Sequence, residues 1–131
     1  DILIVKLEVG FKSREKMKIS EFARKTGIKE STLRYYEKQG FLQIQRRNGI
    51  REFSDKDLEF AEFIKRLKAM GMPLAQIKCY ADLHYQGPET VKERYGILQD
   101  HQRFLQSKIA DYQTYLENLE DKMAIYRSMM K

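Results

Sequence analysis

The chain has 131 residues, 34% of them charged, with a formal net charge of +6, a single cysteine and no tryptophan. That length accommodates one small domain and an extension but not two substantial cores. No run approaches the roughly 18 apolar residues of a membrane span, and one cysteine excludes an internal disulfide, which fits a reducing cytoplasm. The positive charge is local: residues 17–54 carry nine Lys or Arg against four Glu, whereas residues 55–87 and 88–131 are each balanced. An excess so concentrated is the electrostatic footprint of a phosphate-binding surface; a solvated basic face is the plainer alternative.

Residues 1–16 begin with Asp1-Ile2-Leu3-Ile4-Val5, strand-like by residue type but without an evident pairing partner, and continue as a charged tether from Lys12 to Lys16. They are expected to be a translated upstream region or an expression remnant and receive no functional weight. Arg14-Glu15 can be encoded as AGG-GAG, a ribosome-binding sequence placed just before Met17, which favours the first of these.

From Met17 the pattern becomes helical. In Ile19–Ile28, Ser20 is suited to cap a helix, Phe22 and Ala23 to pack inward, and Gly27 to break the chain. In Lys29–Gly40, Ser31 and Thr32 are candidate caps, Leu33 and Tyr36 form an apolar pair at helical spacing, and Gly40 is a stop. Two short helices joined by a glycine turn read as a helix-turn-helix, whose second helix is sized for the DNA major groove. Phe41, Leu42 and Ile44 return the chain to the core. The Asn48-Gly49 pair flanked by arginines predicts a small β-wing over Gln45–Phe53. Ser54 should cap a helix over Asp55–Met70 with Leu58, Ala61, Phe63, Ile64 and Leu67 inward, and Pro73 opens another over Leu74–His84 with Leu74, Ile77 and Ala81 as its stripe.

After the break at Gln86-Gly87-Pro88 the period changes. Val91, Tyr95, Leu98, Gln102, Leu105, Ile109, Tyr112, Leu116, Leu119, Met123, Tyr126 and Met130 follow at alternating steps of four and three. Only Gln102 among these twelve is polar, so the segment reads as a coiled coil, about 66 Å long at ~1.5 Å per residue if helical from Pro88 to Lys131. A domain this small cannot cover such a stripe, and a homodimer is the economical solution. Gln102 either sets the register or marks an exposed end of the seam.

The run Thr32-Leu33-Arg34-Tyr35-Tyr36-Glu37, followed by Asn48-Gly49 and by Arg51-Glu52-Phe53-Ser54-Asp55-Lys56-Asp57-Leu58, resembles the signature of the MerR family of transcription regulators. With the long helix, the resemblance covers about seven-eighths of the chain. It implies a mainly α fold: a winged helix-turn-helix DNA-binding domain over residues 17–86, then a dimerisation helix over 87–131 paired as an antiparallel coiled coil. It also implies a homodimer on double-stranded promoter DNA, in one complex with RNA polymerase, which distorts the spacer between promoter elements. The resemblance is to the short form without a large effector domain, nearest to the aldehyde- and thiol-stress type. That type often carries a cysteine at the position held here by Arg66.

The DNA-binding candidates are Arg34 and Tyr35 on the recognition helix with Lys29, Ser31 and Thr32 at its start, because helix-terminal amides, hydroxyls and long cations suit phosphates and guanine edges. The resemblance implies DNA contact for Arg34, Tyr35 and the wing residue Arg51, and places Lys65 near flanking phosphates; Arg24, Arg46 and Arg47 are further phosphate candidates. Tyr36 is assigned to the core. Dimerisation is assigned to Val91, Tyr95, Leu98, Leu105, Ile109, Tyr112, Leu116, Leu119 and Met123. Cys79 is either an inert thiol or a redox sensor, since a soft-metal site needs more than one thiolate. His84 and His101 read as solvated or packed. There is no nucleophile motif, phosphate loop or paired acid constellation, so neither an enzyme nor a cofactor is expected. A different class stays open at this point, a coiled-coil adaptor whose winged domain binds a protein.

Overall fold

The computed structural model describes residues 16–130; the upstream segment, apart from Lys16, lies outside them. In order, the elements are α1 (Ile19–Thr26), α2 (Glu30–Lys38), β1 (Gln45–Arg47), β2 (Ile50–Glu52), α3 (Asp55–Ala69), α4 (Leu74–Gln86), a 3-10 turn (Pro88–Thr90) and α5 (Val91–Met129). The chain divides into two compact units after Val91.

The first unit is organised by one extended contact. Met17 and Phe53 exchange both backbone hydrogen bonds, at 2.8 and 2.9 Å, so the entry strand is tied to the end of the wing. Because Met17 is pinned there, α1 starts at Ile19 with the Lys18 backbone as its cap, and Ser20 is an exposed second residue rather than the cap expected of it. The turn between α1 and α2 is closed by Thr26, whose hydroxyl donates to the Phe22 carbonyl at 2.9 Å and accepts from the Ile28 amide at 3.2 Å. With Ile28 held and buried, α2 begins at Glu30. Lys29 is its cap, and Ser31 and Thr32 fall inside the first turn, so neither caps the helix.

α2 ends in a Schellman motif: Gly40, at φ 83°, donates to Glu37, Phe41 donates to Tyr36, and the Tyr36 and Phe41 rings lie 5.6 Å apart. α3 ends the same way, with Gly71 donating to Lys68 and Met72 to Leu67. The start of α3 is a reciprocal capping box, in which Ser54 and Asp57 each accept from the other's backbone amide. Both signals were visible in the sequence, and both act locally.

The core includes Phe22, Leu33, Tyr36, Leu42, Phe53, Phe60, Ala61, Ile64, Leu67, Ile77, Tyr80 and Ala81, with Phe22 stacked on Phe53 at 4.3 Å. Two details differ from the expected stripes. Phe60 is buried while Leu58 and Phe63 are only half-buried, and Tyr80 is buried while Leu74 is exposed. The cause is an aromatic cluster between α3 and α4: Phe60 stacks on His84 at 3.7 Å and packs against Tyr80 and Tyr85. α4 runs to Gln86, two residues past the expected end, and Gly87 at φ 124° turns the chain. The Thr90 hydroxyl then donates to the Leu83 carbonyl at 2.6 Å.

The second unit is a single helix. Among the dimerisation candidates, Val91, Tyr95, Ile109, Tyr112, Leu116, Leu119 and Met123 are exposed, and Leu98 and Leu105 are half-buried. Ile109 reaches 69% exposure, which is where a stripe without a partner surface leaves its side chains. No helix among the described residues is long and apolar enough to cross a membrane.

Candidate nucleic-acid interface

α2 has two faces. Leu33 and Tyr36 are buried, whereas Ser31, Arg34, Tyr35 and Lys38 are exposed and Thr32 is half-buried. Tyr36 therefore belongs to the core and Tyr35, 45% exposed, to the outer face. Arg34 reaches back one turn to Glu30 at 3.2 Å. An exposed pair of this spacing contributes only ~0.3–0.5 kcal/mol, so the guanidinium is readily drawn to a stronger anion. Lys29 at the start of α2 and Arg24 on α1 are exposed as well.

The wing has the geometry that its turn dictates. Asn48 and Gly49 take φ 51° and 78°, both in the left-handed region that a two-residue hairpin requires. The register pairs Gln45 with Glu52, Arg46 with Arg51 and Arg47 with Ile50. Arg46 and Arg51 thus face one another, and both reach Glu37 on α2: Arg51 Nε donates to Glu37 Oε1 at 2.7 Å and Arg46 Nη2 to the same oxygen at 3.1 Å. Arg46 also donates to the Gly49 carbonyl. The side chain of Arg47 makes no ion pair among the described residues.

Two residues have internal roles that sequence reasoning missed. The Lys65 ammonium donates to the Thr26 carbonyl at 3.0 Å, placing a cation at the C-terminal end of α1, where the helix dipole favours one. The Tyr85 hydroxyl accepts from the Gln43 amide at 3.0 Å, latching α4 to the segment that leads into the wing. Burial pushes the Tyr85 phenol up to about 12. Neither link has a local signal, since each joins residues about forty positions apart. In the sequence Glu37 is only the last residue of the Thr32–Glu37 run, and its two partners depend on the wing folding back beside α2.

Cys79 is exposed on α4, and no group of three or more His, Cys, Asp or Glu among the described residues could hold a metal ion.

A helix-turn-helix followed by a two-stranded wing, with cations on the outer face of the second helix, defines a winged helix-turn-helix DNA-binding protein. Residues 17–83 match the model of the MerR HTH family regulatory proteins, and residues 61–122 match a second model described as MerR, DNA binding. The chain is 37% identical over 107 residues to an uncharacterized HTH-type transcriptional regulator of Haemophilus influenzae, covering 80% of this chain and 79% of that one. Among solved structures it is similar to HiNmlR, a MerR family regulator lacking the sensor domain and bound to promoter DNA. That similarity has a TM-score of 0.72 and 34% identity, and covers 87% of this chain and 92% of the other. A MerR family regulator from Bacillus thuringiensis gives a TM-score of 0.68 at 29% identity, covering 84% of this chain and 98% of the other. The chain belongs to the MerR family and is a DNA-binding transcription regulator. That membership decides against the adaptor reading.

Proposed function

We propose that the protein works in the cytoplasm as a homodimer on double-stranded promoter DNA, with residues 17–86 as the DNA-binding domain and 87–131 as the dimerisation helix. It carries out no catalysis. Two copies of α2 enter successive major grooves, the wings lie on the flanking backbone, and the paired α5 helices set the separation. Arg34 and Tyr35 approach base edges and phosphate, Lys29, Ser31 and Thr32 hold phosphate at the start of α2, and Arg24, Arg46, Arg47 and Arg51 supply backbone contacts. Lys65 is the weakest member of this set, because its ammonium already serves Thr26. The dimer distorts the spacer between promoter elements so that RNA polymerase engages both, and specificity rests partly on the deformability of that spacer.

The observation that carries this reading is the division of α2, which buries Leu33 and Tyr36 and presents Arg34 and Tyr35 outward beside a cationic wing. The exposed apolar stripe of α5 supports the dimer. The test is binding of the purified protein to the DNA upstream of its own gene, wild type against Arg34→Ala, at ~50 and ~200 mM salt. Wild type should bind one fragment tightly and lose affinity steeply with salt. Arg34→Ala should cost about 1–3 kcal/mol on that fragment without changing the thermal unfolding midpoint. Equal, feeble binding of every fragment by both proteins would sink the reading.

A further inference from the structure

Arg46 and Arg51 are direct cross-strand partners, and like charges placed opposite one another destabilise a hairpin. The two strands are three residues each, too short to absorb that repulsion by themselves. Glu37 resolves it, since a single carboxylate oxygen accepts from both guanidinium groups. The Glu37–Arg51 half of the bridge is sheltered, with side-chain exposures of 18% and 24%, whereas Arg46 joins it from the exposed side at 45%. Glu37 also sits in the last turn of α2, where the helix dipole disfavours a carboxylate. Its position is explained by what it holds in the wing.

We propose that Glu37 is a positioning residue for DNA discrimination. It fixes the wing against the recognition helix and occupies two of the wing's three arginines, so that they do not bind the backbone of any DNA indiscriminately. This rests on the reading of α2 and the wing as the DNA interface. Arg47 is the unengaged cation that reaches phosphate freely, and Arg46 and Arg51 reach it only where the DNA path matches the wing as Glu37 sets it. Glu37 therefore contributes discrimination at the expense of raw affinity.

The test measures binding of the full chain to its own upstream fragment and to a scrambled fragment of equal length across a salt series. In Glu37→Gln, which keeps shape but removes charge, binding to scrambled DNA should tighten several-fold. Its log–log salt slope should steepen by about two, about one for each of the two arginines freed to reach phosphate, while the ratio of specific to scrambled affinity falls about tenfold. A role confined to packing would weaken both fragments alike and leave the slope unchanged; that result overturns the proposal. Two further variants leave Glu37 intact. On scrambled DNA, Arg47→Gln should lower the slope by about one and Arg46→Gln by clearly less, whereas equal losses would show Arg46 to be a free cation and overturn the proposal independently. If wild type itself fails to distinguish the two fragments, the interface reading falls first and the proposal with it.

Discussion

The unit up to Val91 buries Phe22, Leu33, Phe53, Ile64, Leu67 and Ile77 within itself and keeps its cations outside, while α5 leaves Tyr95, Ile109, Tyr112, Leu116, Leu119 and Met123 outside. Both segments contain apolar residues at regular spacing, but only the first has enough chain folded around them to remove them from water. Stability of the first unit is an intramolecular property. In the proposed dimer, that of α5 depends on a partner surface and hence on protein concentration. Regular apolar spacing in a sequence thus marks both a core that closes on itself and a stripe left exposed among the described residues.

The sharpest way to break this contrast is to charge the seam. Leu116→Lys combined with Leu119→Lys should convert the proposed dimer to a monomer in sedimentation equilibrium. Affinity for the promoter fragment should fall about 100-fold or more as two linked half-sites become independent. The first unit should keep its denaturation midpoint, and a loss of that midpoint would show that the units are not separable. The converse variant, Phe22→Ala, removes a fully buried ring stacked on Phe53. It should cost about 3–5 kcal/mol in urea denaturation of the first unit, with the dimer mass unchanged.

Smaller effects refine the first unit. Ser54→Ala removes half of the capping box and should cost about 1 kcal/mol, read as a shift of the same urea midpoint. Tyr85→Phe should remove the acceptor of the Gln43 amide, a cost of about 1 kcal/mol below pH 10. The folded phenol titrates at about 12, above the ordinary value near 10. The unfolded chain therefore loses this proton first, and wild-type stability should decline as pH rises from about 10 to 12. In the phenylalanine variant that component is missing, so the stability difference between the two proteins should narrow over that window.

What could be read from the residues was whatever a short stretch decides alone. The Asn48-Gly49 turn, the Ser54 cap, the glycine stops after α2 and α3 and the helical stripe of α5 each depend on neighbours within a few positions. Phe60 could not be distinguished from Leu58 as a core residue, because its burial follows from the His84 and Tyr85 rings on another helix. Ser20, Ser31 and Thr32 are good capping residues, yet the helices start one or two residues before them because Met17 and Ile28 are held by tertiary contacts. On the candidate interface, the outward cations were legible as charge. Their engagement was not: Glu37 taking two of them, and Lys65 turning to Thr26, require the chain to be folded.

Phe53 is at once the last residue before the capping box of α3, the bridge partner of Met17 and one ring of the stack with Phe22. The wing is therefore a lever with its fulcrum in the hydrophobic core. A force applied at Asn48 meets Phe53 at the base of the wing, and from there α1 and the first turn of α3. Tension along bound DNA would be shared between that ring stack, the backbone bonds to Met17 and the Glu37 bridge to α2.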